Sequence, residues 1–349
     1  MSLPFLNSAA DFAAVTRRRF LRQSFAFSAL AALGSVPGLA GALPSDPSAV
    51  EILMIGDWGY EDFAAQTAVA RAMRAYAQQH EIRAQALLLL GDNWYGPLEG
   101  GVHSPRWQAQ FENMYPASDF ACPAYAILGN HDYQMFPESK VDAELEYART
   151  GRTSAGPTRW TMPARWYRFE FPAKSPLITF LALDSNVPHE SGKIFKGRDF
   201  TLTEQQHAEQ IGWLEAELKR PRATPHLIAM GHHPVYSDGL HGDHARLIRD
   251  WDPLFRKCKV PFYFAGHDHD LQHLEFEGHP TSFFLSGGGG ADLYPLLVDP
   301  SRRGPYAQKV YGFSHLSATP KQLTLRHLDE HGRTVHAFTK SADGKVSIL

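Results

Sequence analysis

Five short segments of this 349-residue chain place metal-ligand residue types directly after a glycine that ends an apolar run. The segments are Ile55-Gly56-Asp57-Trp58-Gly59, Leu90-Gly91-Asp92-Asn93-Trp94-Tyr95, Leu128-Gly129-Asn130-His131-Asp132, Met230-Gly231-His232-His233-Pro234 and Ala265-Gly266-His267-Asp268-His269. Each apolar run predicts a buried strand, so each polar cluster follows the carboxyl end of a strand. In an open α/β sheet ligands bind at that edge, and the five clusters are therefore expected to meet in one crevice.

Carboxylate, imidazole, amide and phenol groups gathered in one crevice predict a hydrolytic site with two metal ions. A carboxylate has two oxygens and can bridge two ions, and Asp57 and Asp92 are the candidates for this bridge. His267 and His269 are two residues apart, so both can project from one side of an extended segment. Tyr95 would add a phenolate, a hard anionic ligand suited to a trivalent ion such as Fe(III). The remaining candidate ligands are Asn130 and His232.

The composition argues against several classes of function. A hydrophobic content of 44% is ordinary for a soluble globular protein with a sizeable core. The formal net charge of −3 comes without a basic stripe, which argues against nucleic-acid binding. Beyond the amino terminus no stretch is long and apolar enough to span a bilayer. For Cys122 and Cys258, roles as small buried residues are favoured over a disulfide, and whether they pair stays open.

The first 42 residues predict an export leader outside the folded domain. Residues 16–22 read Thr-Arg-Arg-Arg-Phe-Leu-Arg, a twin-arginine pattern, and a modestly apolar run follows at residues 25–39. Ala40-Gly41-Ala42 then matches the small-residue rule for signal-peptide cleavage. An ordinary secretory signal or a basic amphipathic anchor is the alternative. We expect a periplasmic or secreted protein exported by the twin-arginine route, with residues 43–349 as a single domain.

The order of the predicted elements favours an α/β fold with two sheets. Helical periodicity covers residues 63–80 and 203–220, with a shorter helical piece at 141–149. The predicted strands are residues 50–55, 86–90, 125–128, 166–171, 177–183, 226–230, 262–265, 274–277, 281–285, 313–318, 322–328 and 335–339. Helices mixed with strands, followed mostly by strands, suggest two sheets packed together with helices outside. Residues 133–165 are predicted to form an insertion over the site.

In their order and residue types the five segments resemble those of the purple acid phosphatase branch of the calcineurin-like metallophosphoesterases, especially its small tartrate-resistant form. The resemblance runs from about residue 52 to residue 339. It implies a four-layer α/β/β/α sandwich of two mixed sheets flanked by helices. It assigns Fe(III) to Asp57, Asp92, Tyr95 and His269. It assigns a divalent ion, Fe²⁺, Zn²⁺ or Mn²⁺, to Asp92, Asn130, His232 and His267, with Asp92 as the bridge.

The resemblance also implies an activity, namely hydrolysis of phosphate monoesters at acid pH by attack of a metal-held hydroxide. His131 directly follows ligand Asn130 and is free to give a proton to the leaving group. His241 matches the second substrate histidine of the family, although a surface-loop histidine is the alternative at that position. Asp132 would orient His131 as a supporting partner. The expected partners are small phosphate esters and phosphoproteins, and the expected oligomeric state is a monomer.

Two other functions are compatible with these residues. A phosphodiesterase would use the same site with a different pocket shape. A non-catalytic protein that binds metal or phosphate would keep part of the ligand set without turnover. A serine hydrolase is disfavoured because no Gly-x-Ser-x-Gly segment is present. A structural zinc protein is disfavoured because the candidate ligands are rich in oxygen and the cysteines do not cluster.

Overall fold

Two mixed β-sheets packed against each other form the centre of the fold in the computed structural model. The structure describes residue 46 and residues 48–349, apart from residue 137 and residues 189–200 and 300–301. The predicted export leader and the domain boundary after residue 42 lie outside the described residues. Within the described part of the chain, no helix combines the length and the apolar character needed to cross a bilayer.

The first sheet joins strands from the amino-terminal half of the domain to strands from the carboxyl terminus. In spatial order its strands are β19 (Val346–Ile348), β18 (Thr334–Ser341), β17 (Gln322–Asp329), β16 (Gly312–Ala318), β1 (Val50–Ile55), β2 (Ala86–Leu89), β3 (Ala124–Ala126) and β8 (Trp160–Thr161). Strands β1, β2, β3 and β8 run parallel to one another. On the other side of β1, strands β16, β17, β18 and β19 follow in that order, each antiparallel to its neighbour. The parallel strands are apolar and largely buried, which is typical of strands covered on both faces.

The second sheet has a parallel centre with antiparallel edges. In spatial order its strands are β15 (Tyr306–Gln308), β13 (Leu271–Leu274), β14 (Ser282–Ser286), β12 (Phe262–Ala265), β11 (His226–Met230), β10 (Ile178–Ala182) and β9 (Tyr167–Phe171). Strands β10, β11, β12 and β14 are parallel, so their carboxyl ends lie along one edge. Two short hairpins pair β4 (Met135–Phe136) with β5 (Glu138–Ser139) and β6 (Arg152–Thr153) with β7 (Gly156–Pro157).

Helices flank both sheets, and a four-residue helix lies in the turn that follows strand β3. The helices are α1 (Ala64–Gln79), α2 (Asn130–Tyr133), α3 (Lys140–Thr150), α4 (Glu204–Lys219), α5 (Ala245–Asp250) and α6 (Asp252–Cys258). On the first sheet, the Tyr76 hydroxyl of α1 lies 3.0 Å from Nδ1 of His315 in β16. On the second sheet, Leu214 of α4, Leu247 of α5 and Phe255 of α6 belong to the buried hydrophobic cluster of that sheet. The predicted four-layer sandwich is therefore confirmed.

Two predictions about local structure are wrong. The strand predicted at residues 274–277 lies at Leu271–Leu274, because Gln272 and His273 are buried there and hydrogen-bonded instead of lying in a loop. Residues 133–165 are an integral part of the fold, since β8 extends the first sheet. In the same segment α3 supports the ligand loop after β2, where Lys140 Nζ donates to the carbonyl oxygen of Trp94 at 2.8 Å.

A buried histidine cluster lies between the two sheets. His273 Nδ1 of β13 is 2.9 Å from His336 Nε2 of β18, and the rings of His336 and Tyr306 stack with centroids 4.7 Å apart. The ring of His273 stacks on Phe338 at 3.6 Å. Burial, reinforced by the neighbouring His273, lowers the pKa of His336 to about 3. Protonating this cluster would bury positive charge inside an aromatic core.

We predict that His336→Phe makes the protein less sensitive to acid. The unfolded chain binds a proton at this histidine below its ordinary pKa of about 6.5, whereas the folded protein binds it only near pH 3. The stabilisation is therefore complete above the unfolded pKa and is lost as the pH falls toward the folded value. Between pH 7 and pH 5 the variant should lose less unfolding free energy than the wild type, by on the order of 1–2 kcal/mol.

Urea unfolding at the two pH values measures this difference. The matched control is His331→Phe, because His331 is largely exposed, with 65% of its side chain accessible. That control should keep the pH dependence of the wild type. An equal pH dependence of wild type and His336→Phe would contradict the assignment of acid sensitivity to this cluster.

Candidate metal centre

The predicted ligands come from the turns that follow five parallel strands, at the edge where the two sheets meet. Strands β1, β2 and β3 of the first sheet and β11 and β12 of the second sheet end at this edge. Cross-sheet hydrogen bonds join the turns: the His267 amide donates to Asp57 Oδ2 at 2.8 Å, and His232 Nδ1 lies 2.9 Å from the Leu90 carbonyl oxygen. The turns of both sheets therefore form one site.

Two groups of donor atoms overlap at a single carboxylate. Asp92, His232 and His267 form the first group, and Asp57, Asp92 and His269 form the second. Within each group one ligand atom from every residue lies within 4.8 Å of the others. Asp92 belongs to both groups and thus occupies the place that a bridging carboxylate would need.

Tyr95 and Asn130 complete the two groups. The Tyr95 hydroxyl lies 3.0 Å from His269 Nε2 and 3.3 Å from Asp57 Oδ1. Asn130 Oδ1 lies 3.2 Å from His232 Nε2. Separations of this size are expected between neighbouring ligands of one ion when each metal–ligand bond is about 2.0–2.2 Å long. The structure thus brings together all seven residues predicted as ligands.

The backbone of three ligand residues is strained in a way that suits a functional site. Asp57, Asp92 and His267 have φ angles of 60°, 51° and 72°, in the left-handed region that residues other than glycine seldom adopt. Such conformations persist only where the surroundings hold them, and they cluster at active sites. Each residue follows its strand directly after a glycine, so the chain turns sharply and directs the side chain toward the crevice.

Two glycines that precede candidate ligands are required by close approach. Gly91 has a φ of 89°, and a Cβ atom at this position would lie 2.6 Å from Nδ1 of His232. A Cβ atom on Gly129 would lie 2.2 Å from the backbone nitrogen of Asp92. A side chain at either glycine would therefore push the neighbouring ligand out of place.

Backbone carbonyls orient two of the imidazoles. His232 Nδ1 is bonded to the Leu90 carbonyl oxygen at 2.9 Å, and His269 Nδ1 to the Asp292 carbonyl oxygen at 2.5 Å. A carbonyl can only accept, so each Nδ1 carries a proton and Nε2 is the nitrogen that remains for a metal ion. In both rings this Nε2 faces the donor cluster, as required of a metal-binding imidazole.

The electrostatics of the site favour a bound cation. Although burial opposes it, the negative charges of Asp92 and Asp57 raise the pKa of His232 to about 10. Burial raises the pKa of Asp57 and of Tyr95 well above the usual values. For Asp92 burial also acts upward, but His232 and His131 outweigh it and hold the pKa of that carboxyl below its usual range. Buried oxygen and nitrogen donors at a negative potential fit a pair of metal ions.

His131 and His241 stand beside different parts of the donor cluster. The ring centroid of His131 lies 4.1 Å from that of Tyr95, and the ring centroid of His241 lies 4.1 Å from that of His267. The backbone amide of His131 donates to Asp92 Oδ1 at 2.8 Å, which ties its position to the candidate bridge. Both predicted catalytic histidines are therefore close to the site, one beside each donor group.

Asp132 supports a loop in this structure. Its carboxylate accepts hydrogen bonds from the backbone amides of Gly129, Asn93 and Trp94 at 2.8, 3.1 and 2.9 Å. It also accepts from Asn93 Nδ2 at 3.2 Å. Among the hydrogen bonds of the described residues, none joins this carboxylate to the His131 ring. Asp132 therefore fixes the turn that carries Asp92 and, among the described residues, makes no hydrogen bond to the imidazole that it was expected to orient.

Two further residues support the site, although the sequence analysis assigned them no role. Arg106 donates to the carbonyl oxygens of Gly59, Tyr95 and Pro97 at 2.8, 2.7 and 2.7 Å, and so joins two ligand turns. Asp268 Oδ1 accepts from the backbone amide of His241 at 3.0 Å and lies 2.8 Å from His241 Nδ1. The position of Asp268 between two candidate ligands was visible in the sequence, but its partner lies 27 residues away.

We predict that Asp132→Asn destabilises the protein and loosens the metal centre. The asparagine side chain has one oxygen and one NH₂ group, whereas backbone amides donate to both oxygens of Asp132. The NH₂ group would therefore face a backbone N–H group, and at least one buried donor would lose its acceptor. The expected loss of unfolding free energy is about 2–3 kcal/mol, with reduced metal content after gel filtration. Chemical unfolding and elemental analysis measure the two effects. Asp142→Asn, an exposed position at the start of α3, is the control, and equal behaviour of the two variants would contradict the role given to Asp132.

Two curated phosphatases resemble this chain over most of its length. Purple acid phosphatase 7 of Arabidopsis thaliana is 28% identical to this chain over 303 residues, covering 84% of this chain and 86% of the relative. Tartrate-resistant acid phosphatase type 5 of Homo sapiens is 27% identical over 326 residues, covering 86% of this chain and 92% of the relative.

Solved structures share the fold. The purple acid phosphatase PPD1 from yellow lupin (Lupinus luteus) seeds superposes with a TM-score of 0.61 at 17% identity, covering 84% of this chain and 54% of that chain. GAP50, the anchor in the inner membrane complex of Plasmodium, superposes with a TM-score of 0.66 at 19% identity, covering 83% and 87% of the two chains. The sequence pattern of the calcineurin-like phosphoesterase family matches residues 50–271, which is more than half of this chain. The chain therefore belongs to the calcineurin-like phosphoesterase family.

Proposed function

We propose that this protein is a binuclear acid phosphatase of the purple acid phosphatase type that hydrolyses phosphate monoesters. The observation that carries the proposal is the pair of donor groups that share Asp92, with the Tyr95 hydroxyl 3.0 Å from His269 Nε2 in one of them. A phenol among carboxylates and imidazoles is a hard ligand suited to a ferric ion. Similarity to tartrate-resistant and purple acid phosphatases over more than four-fifths of the chain supports the same choice.

The two donor groups differ in character, which supports two different ions. Asp57, Asp92, Tyr95 and His269 would hold Fe(III), because two carboxylates and a phenol match its charge. Asp92, Asn130, His232 and His267 would hold a divalent ion, namely Fe²⁺, Zn²⁺ or Mn²⁺. When bound, the two ions would act as Lewis acids that neutralise charge on the phosphoryl group and lower the pKa of water, the ferric ion more strongly.

The two histidines beside the donor groups would orient the substrate and donate the proton that the leaving group needs. The His131 ring packs against Tyr95 and the His241 ring against His267, so a phosphate ester bound between them would meet an imidazole beside either group. Asp268 accepts from Nδ1 of His241, so Nε2 is the nitrogen left for a substrate oxygen, and it donates there when the ring is protonated. A departing alkoxide needs a proton, and an imidazole within hydrogen-bond reach supplies it. Either histidine would therefore orient the ester and protonate the leaving group.

We also propose export by the twin-arginine route to the periplasm or beyond. The support is the Thr-Arg-Arg-Arg-Phe-Leu-Arg pattern at residues 16–22 and the small residues at 40–42. A phosphatase in that location would act on phosphate esters outside the cytoplasm.

We predict turnover of p-nitrophenyl phosphate at acid pH, faster than turnover of its bis ester, by protein that contains iron. A phenolate bound to Fe(III) gives a visible charge-transfer band, so Tyr95→Phe should lose the colour. Tyr60→Phe is the control, since the Tyr60 ring packs edge-on against Tyr95 with centroids 5.5 Å apart and no ligand is removed. Kinetics, elemental analysis and the absorption spectrum are the measurements.

The possible contrary results separate the alternatives. Faster hydrolysis of the bis ester would favour a phosphodiesterase. Metal-replete protein without turnover at any pH would favour a metal- or phosphate-binding protein. Full activity in colourless protein without iron would refute the ferric assignment while leaving the phosphatase activity in place.

We predict that His131→Ala lowers kcat much more than it raises KM. The imidazole acts on the leaving group in the transition state, and general acid catalysis contributes about 10²–10⁴-fold. Metal content should stay intact, because the tie to Asp92 runs through the backbone amide of residue 131, which alanine keeps. Steady-state kinetics and elemental analysis on the same preparation give both quantities. An unchanged kcat would remove His131 from the mechanism.

A further inference from the structure

Residues 237–243 form the loop that carries His241, and we refer to this segment as the His241 loop. Asp268 holds its inner side: the His241 amide donates to Asp268 Oδ1 at 3.0 Å, and the Ser237 hydroxyl donates to Asp268 Oδ2. The tip of the loop has little cover, since 41% of Leu240 and 39% of the His241 side chain are exposed. A loop with few apolar contacts depends on polar anchors for its conformation.

Arg303 binds both ends of the His241 loop from the outer side. Its Nη1 donates to the carbonyl oxygen of Ser237 at 3.3 Å, at the start of the loop. Its Nη2 donates to Asp243 Oδ1 at 2.6 Å, at the end of the loop. One planar guanidinium group therefore connects positions six residues apart, and the same Asp243 oxygen accepts from the Ser237 amide at 3.1 Å.

A third contact of Arg303 involves a buried carboxylate. Asp238 is fully buried, and neither of its carboxylate oxygens has a hydrogen-bond partner among the described residues. Arg303 Nε forms an ion pair with Asp238 Oδ1 at 3.3 Å. Burial raises the pKa of Asp238 to about 6, and Arg303 acts in the opposite direction. Removing Arg303 would leave a buried carboxylate without its counter-charge, which favours local opening of the loop.

We propose that Arg303 is a positioning residue that holds His241 at the active site by binding both ends of the His241 loop and the buried Asp238. The inference rests on the proposed function, in which His241 contacts the substrate. Three acceptors surround a single guanidinium, and a lysine ammonium cannot reproduce this planar arrangement. Arg303 lies just before strand β15, so a segment far from the ligands in sequence determines the placement of a catalytic imidazole.

The test compares Arg303→Ala with Arg302→Ala in metal-loaded protein. Arg302 is the neighbouring exposed arginine, so its removal changes the net charge equally without touching the loop. Arg303→Ala should speed hydrogen exchange in peptides covering residues 237–243, and it should lower kcat/KM for p-nitrophenyl phosphate by about tenfold to hundredfold. Millimolar guanidinium ion should restore part of that loss. Arg303→Lys should recover only part of the activity, and Arg302→Ala should match the wild type in both measurements.

Exchange and turnover distinguish this inference from the proposed function. Wild-type protein without turnover would refute the phosphatase proposal, while exchange in the His241 loop would still decide the role of Arg303. Exchange at the wild-type rate in Arg303→Ala, or equal kinetics of the two alanine variants, would overturn the inference. If thermal unfolding shows that Arg303→Ala does not fold, Arg303→Lys and Asp243→Ala take its place, and wild-type exchange in both would overturn it equally.

Discussion

Two carboxylates buried in one donor cluster are the feature on which the rest of the site depends. Asp57 and Asp92 are almost completely inaccessible, and both contribute to the same group of candidate ligands. Two negative charges removed from water repel each other, and each is costly to bury without compensation. His232 alone cannot balance them when both ionise together with Tyr95. Bound cations would offset this repulsion and allow both carboxylates and the phenol to ionise together, and the surrounding turns hold these side chains close enough to share such ions.

The two sheets meet this requirement through their shared edge. Parallel strands end side by side, so short turns from β1, β2 and β3 face those from β11 and β12 without long connections. Left-handed backbone at Asp57, Asp92 and His267 lets each side chain turn inward immediately after its strand. The strain of these conformations is offset by hydrogen bonds from the opposite sheet, such as that from the His267 amide to Asp57. The metal centre and the packing of the sheets therefore stabilise each other.

The residues of the two donor groups could be predicted from sequence because their signal is local. An apolar run, a glycine and a polar residue together specify a strand, a sharp turn and a side chain directed into the crevice. Arg106 and Arg303 could not be predicted, because they bind backbone carbonyls and remote carboxylates that leave no pattern next to them. Asp132 shows that neighbouring positions in sequence need not interact. It follows His131 directly, but its carboxylate accepts hydrogen bonds from the backbone amides of Asn93 and Trp94 in a neighbouring turn. The strand β13 was misplaced for a related reason, since its buried polar side chains find partners only in the folded protein.

The two candidate catalytic histidines are supported in different ways, and this difference separates metal binding from substrate binding. His131 lies in the short helix α2 and is tied to Asp92, so its position cannot change without disturbing the bridge between the two donor groups. His241 lies on an exposed loop whose anchors, Asp268 and Arg303, are not among the candidate ligands. If His241 contacts the substrate as proposed, the fit of a phosphate ester therefore depends on groups outside the candidate ligand set. The donor groups follow a local sequence pattern, whereas the His241 loop is held by residues remote in sequence. The sequence therefore indicates the donor groups more clearly than the surroundings of the substrate.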